Sequence, residues 1–448
     1  MLSSYARRWR IFHPNIRAFL VFDTCYQLAL TVYGLYFPRY LIALGHAEDT
    51  LGSLMAAGTI CIALFSLGAG ILSDRIGRRR SLIFGVSISK AAFLLRGFLI
   101  ALPALYGCYI VDGIFITMYS AAGTPFIFEN TASEDRIHAF SIQGMIVRAS
   151  GIVGNTAGGL LPRLILAVSP GLDDIAVYRT VFVLSVLLAF AGVRQLYAIR
   201  EPLAPAAALA ETAAAHPTVV AAPNGGDSSL PSAPRLARLR ANFPWTRAEL
   251  VFLVQYTVTA SLISMGANHV LPFMNTFLIR TFDAGPDVVG VVLSAAQLAT
   301  LLGIMVAPAL GARFGITPSV LVTRLMALPM LLVMAFSRQL WLVAAAYSFR
   351  NGLHQMSAPL TNTFMLAHLS RKTRATANGF LQSFQNGVSA LSMFTSGLII
   401  TRYGYRTSFE VAMCAYALSA FFFWLFFVRG SAVARERSLD GETAVAGR

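Results

Sequence analysis

The chain has 448 residues, 56% of them hydrophobic and 12% charged, with a formal net charge of +15 and a mean hydropathy of +0.65. Soluble domains carry about 25% charged residues, so this composition excludes a water-soluble enzyme or binding module and fits a chain that crosses a bilayer many times. The surplus of arginine does not signal nucleic acid. The basic residues gather in alternate short loops between apolar runs, which is the bias of a cytoplasmic membrane face.

The N-terminal segment holds Arg7, Arg8, Arg10 and Arg17 and leads into an apolar run too long for a signal-peptide core. An uncleaved first span is expected, with both termini cytoplasmic. Apolar runs then follow in two sets of six: 16–42, 49–73, 80–102, 103–130, 136–168 and 174–198, then 247–280, 286–311, 317–337, 338–368, 373–402 and 406–429. The division is an N-terminal bundle over 1–200, a Pro- and Ala-rich linker over 201–246, a C-terminal bundle over 247–430 and a tail over 431–448. Cys25, Cys61, Cys108 and Cys414 all lie in apolar runs with no CxxC pair and read as small hydrophobes. No Asn-x-Ser/Thr sequon occurs, which favours a bacterial inner membrane.

The first span carries Asp23, Tyr26 and Gln27, then Tyr33 and Gly34. An ionisable residue at bilayer depth costs several kcal/mol and is a functional candidate by default. The second span ends in Gly70-Ile-Leu-Ser-Asp74-Arg75-Ile-Gly77-Arg78-Arg79-Arg80. Its glycines let the chain reverse where a side chain would clash, and its arginines hold the loop on the cytoplasmic side.

This Gly-x-x-x-Asp-Arg-x-Gly-Arg-Arg pattern resembles the loop between helices 2 and 3 of the major facilitator superfamily of transporters. The resemblance implies an all-α membrane protein of 12 transmembrane helices in two pseudo-symmetric six-helix bundles. It implies alternating access, in which the bundles rock about a central site. It also implies a conformational latch, in which Asp74 faces the start of the eleventh helix near 373–376 while Arg75 and Arg78 reach Glu129 or Asp135. Gly70 and Gly77 complete that set.

The two halves repeat. A single shift, from Arg75 to Arg313, also carries Asp49 onto Asp287, Gly52 onto Gly290, Gly77 onto Gly315, Arg136 onto Arg374 and Ala139 onto Ala377. Parallel repeats about an axis along the membrane normal are a transporter architecture.

The fourth span holds Asp112, and the same shift places Arg350 of the tenth span at its counterpart. The resemblance makes helices 1, 4, 7 and 10 line the central cavity, so an acid and a base stand at equivalent points around it. A structural ion pair is the competing reading. The tenth span has a polar stripe, Tyr347, Arg350, Asn351 and His354, at helical spacing. The seventh offers Ser261, Ser264, Asn268 and Asn275.

The fifth span carries Arg148 and then Gly151-Ile-Val-Gly154-Asn-Thr-Ala-Gly158-Gly159. This resembles the helix-5 signature of the family's proton-driven antiporters, with Asn155 in place of a proline. Glycines at this spacing let helices approach closely. Arg148 is expected to attract an anionic solute or to meet Gln385 and Asn386 of the eleventh span.

No HExxH, GxSxG or Gly-Lys phosphate loop is present. Ser87-x-x-Lys90 has the spacing of an acylation motif but lies inside the third span without its companions. The expectation is therefore not an enzyme but a monomeric secondary transporter, without cofactor or metal. It works in a cell inner membrane among lipids, and protons and a small-molecule substrate are its ligands. Proton-coupled export is the first reading, and proton-coupled uptake of an organic anion the alternative. A receptor built on a transporter fold comes third.

Overall fold

The computed structural model describes residues 12–131, 135–199, 246–370 and 373–429, and all regular structure among them is helical. The linker, the tail and the first eleven residues lie outside the described residues. The N-terminal half contributes α1 (Pro14–Ala43), α2 (Glu48–Ile76), α3 (Arg78–Arg96), α4 (Leu102–Glu129), α5 (Arg136–Val168) and α6 (Asp174–Tyr197). In the C-terminal half, α7 (Arg247–Phe282) is interrupted by a 3-10 turn at Leu271–Phe273. Then come α8 (Pro286–Phe314), α9 (Ile316–Phe336) and α10 (Leu340–Ala367). The last helix, Arg374–Phe423, breaks at Gly404 (φ 84°, ψ 171°) and so provides α11 (374–403) and α12 (405–423).

The helix ends follow from local chemistry. Thr246 and Glu249 form a reciprocal capping box that starts α7, and Asp173 caps α6 by accepting from the Ala176 N–H. The turn between α2 and α3 rests on Gly77 (φ 94°) and that between α8 and α9 on Gly315 (φ 83°). These are matched positions of the repeat, and both adopt a backbone that a side chain disfavours. Span three ends at Arg96, short of the expected 102, with Gly97 as its C-cap, and Pro103 in the first turn of α4 opens the next helix.

Among the described residues nine helical segments are long and apolar enough to cross a membrane, one of them holding both α11 and α12. The helices below that threshold are α3, interrupted by Lys90 and Arg96, and α10, interrupted by Arg350, Asn351 and His354. In both, the polar residues turn into the protein.

Between the bundles α2 runs along α11, and α5 along α8. The two seams are copies. Gly52 of α2 lies against the Met393 carbonyl and Gly397 Cα of α11, while Gly290 of α8 lies against the Asn155 carbonyl and Gly159 Cα of α5. All four pairings obey the shift that carries Arg75 onto Arg313. At the arginine-rich end the seam helices separate, and Gly68, Gly70, Gly144 and Gly379 face open space. Among the described residues the seams are joined from mid-depth to the end opposite the Gly70–Arg80 loop, and no glycine contact joins them near that loop.

Candidate functional site: a cavity between the bundles

A cavity of about 310 Å³ lies between the halves. Leu30, Tyr33 and Phe37 of α1, Phe93 and Arg96 of α3, and Tyr109 and Asp112 of α4 form one wall; Leu271, Pro272 and Asn275 of α7 face them. Its surface is mostly apolar and aromatic, with one ion pair. Small-molecule sites have this make-up, with few polar groups in fixed places.

Asp112 lines this cavity, as do Tyr33, Gly34 and Asn275 of the first and seventh spans, while the other expected charged pathway residues do not. The partner of Asp112 is not Arg350. Arg96 Nη2 donates to Asp112 Oδ2 at 2.8 Å, and Ser89 Oγ donates to Oδ1 at 2.5 Å. The expected counterpart, Arg350, is fully buried and bonds Asn351 Oδ1 at 3.2 Å and the Tyr416 hydroxyl of α12. His354 Nδ1 lies 3.3 Å from the same hydroxyl. The basic members of the α10 stripe therefore turn toward α12 inside their own bundle. The reason is geometric: helical spacing shows that Arg350 and His354 share a face but not which neighbouring helix that face meets.

Asp23 is buried to 0% exposure. Its Oδ1 accepts from the Tyr119 hydroxyl at 2.7 Å and from Gln27 Nε2 at 3.3 Å, and Oδ2 has no partner at hydrogen-bonding geometry. Among the described residues no ion pair reaches it, so a carboxyl group is enclosed by neutral donors. Tyr26 stacks beside it on Tyr119, with centroids 4.7 Å apart. Asn268 bonds the Ser264 carbonyl and Ser389 Oγ, within its own half.

Arg148 meets Gln297 of α8 at 3.3 Å, not Gln385 or Asn386 of α11. The correction follows from helix pairing, since α5 runs along α8 whereas α11 runs along α2. The α5 glycines divide their work. Gly154 and Gly158 lie on Thr31, Val32 and Leu35 of α1, and Gly159 lies on the Pro286 and Asp287 backbone of α8.

The arginine-rich loop is paired within the N-terminal bundle. Arg78 stands 2.5 Å from Asp74 and 3.3 Å from Glu129, while Arg75 is exposed. Thr373, at the expected target of Asp74, instead donates to Glu249 Oε1 at 2.9 Å. Residues 371–372, on the approach to α11, lie outside the described residues.

At the closed end the contacts cross between bundles. Arg39 donates to the Ala284 carbonyl at 2.6 Å, and Asn275 to the Leu35 carbonyl at 2.8 Å. Glu48 Oε1 receives Arg280 at 3.3 Å and the Tyr405 hydroxyl at 2.8 Å. Arg163 pairs with Asp287 at 2.7 Å, and the equivalent place on the other seam holds Asp49 N–H on Thr401 Oγ1 at 3.0 Å.

Lys90 and Arg96 of α3 escaped the sequence reading. Lys90 is 2% exposed, lies over the rings of Phe93 (3.7 Å) and Tyr26 (4.6 Å), and its Nζ has no hydrogen-bond partner. The signal available was two cations at spacing six in an apolar run, facing inward with Phe93 between them.

The description "Major Facilitator Superfamily" matches over residues 23–266 and 256–446. Multidrug resistance protein 2 of Bacillus subtilis (strain 168) is 25% identical over 151 residues, 33% of this chain and 38% of that one, so the match spans well under half of that relative. Among solved structures, a bacterial homolog of the human lysosomal transporter Spinster, inward-facing and unoccupied, aligns with a TM-score of 0.68 at 16% identity. That alignment covers 92% of this chain and 95% of that one. A D-xylose–proton symporter aligns with a TM-score of 0.68 at 14% identity, covering 92% and 97%. At those identities the likeness is one of fold. The family match over both halves, the duplicated bundles and the cavity between them agree: this chain is a multi-pass membrane transporter, not an enzyme, and belongs to the Major Facilitator Superfamily.

Proposed function

We propose that this protein is a proton-coupled exporter of small organic solutes, working by alternating access in a bacterial inner membrane with both termini cytoplasmic. The observation that carries the reading is the pair of acids in the N-terminal bundle: Asp112 at the cavity edge, and Asp23 fully buried among neutral donors. A carboxyl without a cationic partner is held in a place where only its protonated form is inexpensive. Such a group takes up and releases a proton as access alternates. The named function of the Bacillus relative supports export. With the arginine-rich loop cytoplasmic, the cleft opens to the cytoplasm, where an exporter loads.

Uptake of an organic anion together with protons is the second reading, favoured by Arg324 and Arg350, both buried in the C-terminal bundle without an ion pair among the described residues. Everted vesicles separate the two. In an antiporter, an acid interior drives solute inward and lowering the pH weakens solute binding at equilibrium. In a symporter both signs reverse. Transport unaffected by a proton gradient of either sign would overturn both readings.

A further inference from the structure

Buried polar atoms without partners gather in and behind the cavity wall. Arg96 lines it, is 2% exposed, and has an Nε without a partner. The Tyr33 hydroxyl, on α1 of the same wall, is buried and has no partner either. Lys90 stands six residues before Arg96 on α3, about 120° around the helix from it and behind the Phe93 ring that forms the cavity wall, and among the described residues its ammonium bonds to no acceptor. Buried polar groups are almost always satisfied, and an orphan asks for an explanation such as an absent ligand. Three of the orphans here are able to donate, and two of these are cations; Asn275 Oδ1, on the facing wall, is an orphan acceptor.

The acids nearby do not answer them. Asp112 has its oxygens on Ser89 and Arg96 Nη2. Lys90 has neither an ion pair nor a hydrogen-bond acceptor among the described residues. Two cations against one acid leave one positive charge uncompensated in a region of low dielectric, where an unpaired charge is costly. The rest of the wall is aromatic: Tyr33, Phe37, Phe93 and Tyr109.

We propose that the cavity binds an organic monoanion, a carboxylate on an aromatic or similarly flat apolar body, with the carboxylate received by Arg96 and the Tyr33 hydroxyl and its charge offset by Lys90 behind the Phe93 ring. This assigns Lys90 and Arg96, rather than Arg148 or Arg350, as the residues that read the solute's charge. It rests on the cavity being the solute's site and stands whichever way the solute moves, since an anion can leave against protons as well as enter with them.

The test uses the purified full-length transporter in detergent, with no membrane and no gradient, so a failure of proton coupling leaves it untouched. Thermal unfolding is followed with 1-naphthoate, with the neutral 1-naphthalenemethanol and with a naphthylmethyl-trimethylammonium cation at matched millimolar concentrations. Naphthoate should raise the unfolding temperature and the other two should not. In Lys90→Met the naphthoate affinity should fall about tenfold, the loss of one buried charge close to the carboxylate, and Lys90→Arg should keep most of it. Stabilisation by the cation or the alcohol equal to that by naphthoate, no shift with naphthoate, or unchanged naphthoate affinity in Lys90→Met would each overturn the assignment. The comparison of three ligands on the wild-type protein holds even if Lys90→Met fails to fold.

Discussion

Gly159 of α5 and Gly290 of α8 meet backbone to backbone, and a Cβ placed on Gly159 would stand 2.8 Å from the Pro286 carbonyl and 3.0 Å from Asp287 Cα. Neither neighbour is a flexible side chain that can step aside. Gly397 and Gly52 repeat the contact on the other seam. The closed end of the transporter is therefore a pair of glycine contacts related by the internal repeat, reinforced by polar bonds that differ between the copies.

Gly159→Leu should force the α5–α8 seam apart. We expect disulfide cross-linking between cysteines placed at Arg163 and Asp287 to fall several-fold and transport to be lost, with membrane insertion unchanged. Gly107→Ala, in α4 where nothing lies within 4 Å of the added atom, should be silent or stabilise by about 0.5–1 kcal/mol. Equal cross-linking in Gly159→Leu and wild type would sink the seam account.

The Arg96–Asp112 pair should behave as a buried ion pair. Removing one partner from such a pair costs about 3–5 kcal/mol, because the other charge stays behind in low dielectric. Asp112→Leu and Arg96→Met should each destabilise the protein strongly in thermal unfolding, and the double variant should recover much of the loss. Additive losses in the double variant would show that the two side chains act independently.

Asp23→Asn tests the proposed proton carrier. Asparagine retains an oxygen to accept from Tyr119 and Gln27, so the fold should persist. Solute accumulation driven by a proton gradient should drop to the background of empty vesicles, while gradient-free exchange of labelled for unlabelled solute continues. Full accumulation in this variant would remove Asp23 from the coupling.

Glu48 ties the C-terminal bundle to the start of α2 through Arg280 and Tyr405. Glu48→Gln keeps an acceptor for Tyr405 and loses the charge that holds Arg280. The partly exposed ion pair is worth on the order of 1 kcal/mol, so stability should change little. The balance of open and closed states should shift by up to about fivefold. Labelling of a cysteine at Asn275 from the far side of the membrane should quicken accordingly, and an unchanged rate would count against the clamp.

Asp74→Asn leaves Arg78 with Glu129 as its one carboxylate among the described residues, beside the Ser73 hydroxyl. We expect transport to fall with insertion intact, because the loop loses the carboxylate proposed to meet α11 when the cleft closes. Wild-type turnover would end the latch proposal.

The family, the helical fold and the repeat were legible in the sequence because they depend on local and periodic properties. Apolar runs of spanning length, glycines where the chain must reverse, and a shift from Arg75 to Arg313 are all visible without coordinates. The glycine pairs at the seams even obey that shift. Partners of interior charges were not legible. Asp112 took Arg96, Arg148 took Gln297 and Arg350 took Tyr416, because each choice depends on which neighbouring helix a given face meets and how far each side chain reaches. Lys90 was passed over for the same reason. In sequence it is one lysine in an apolar run, and only the packing of α3 against α1 and α4 encloses its ammonium between two rings with no acceptor in reach.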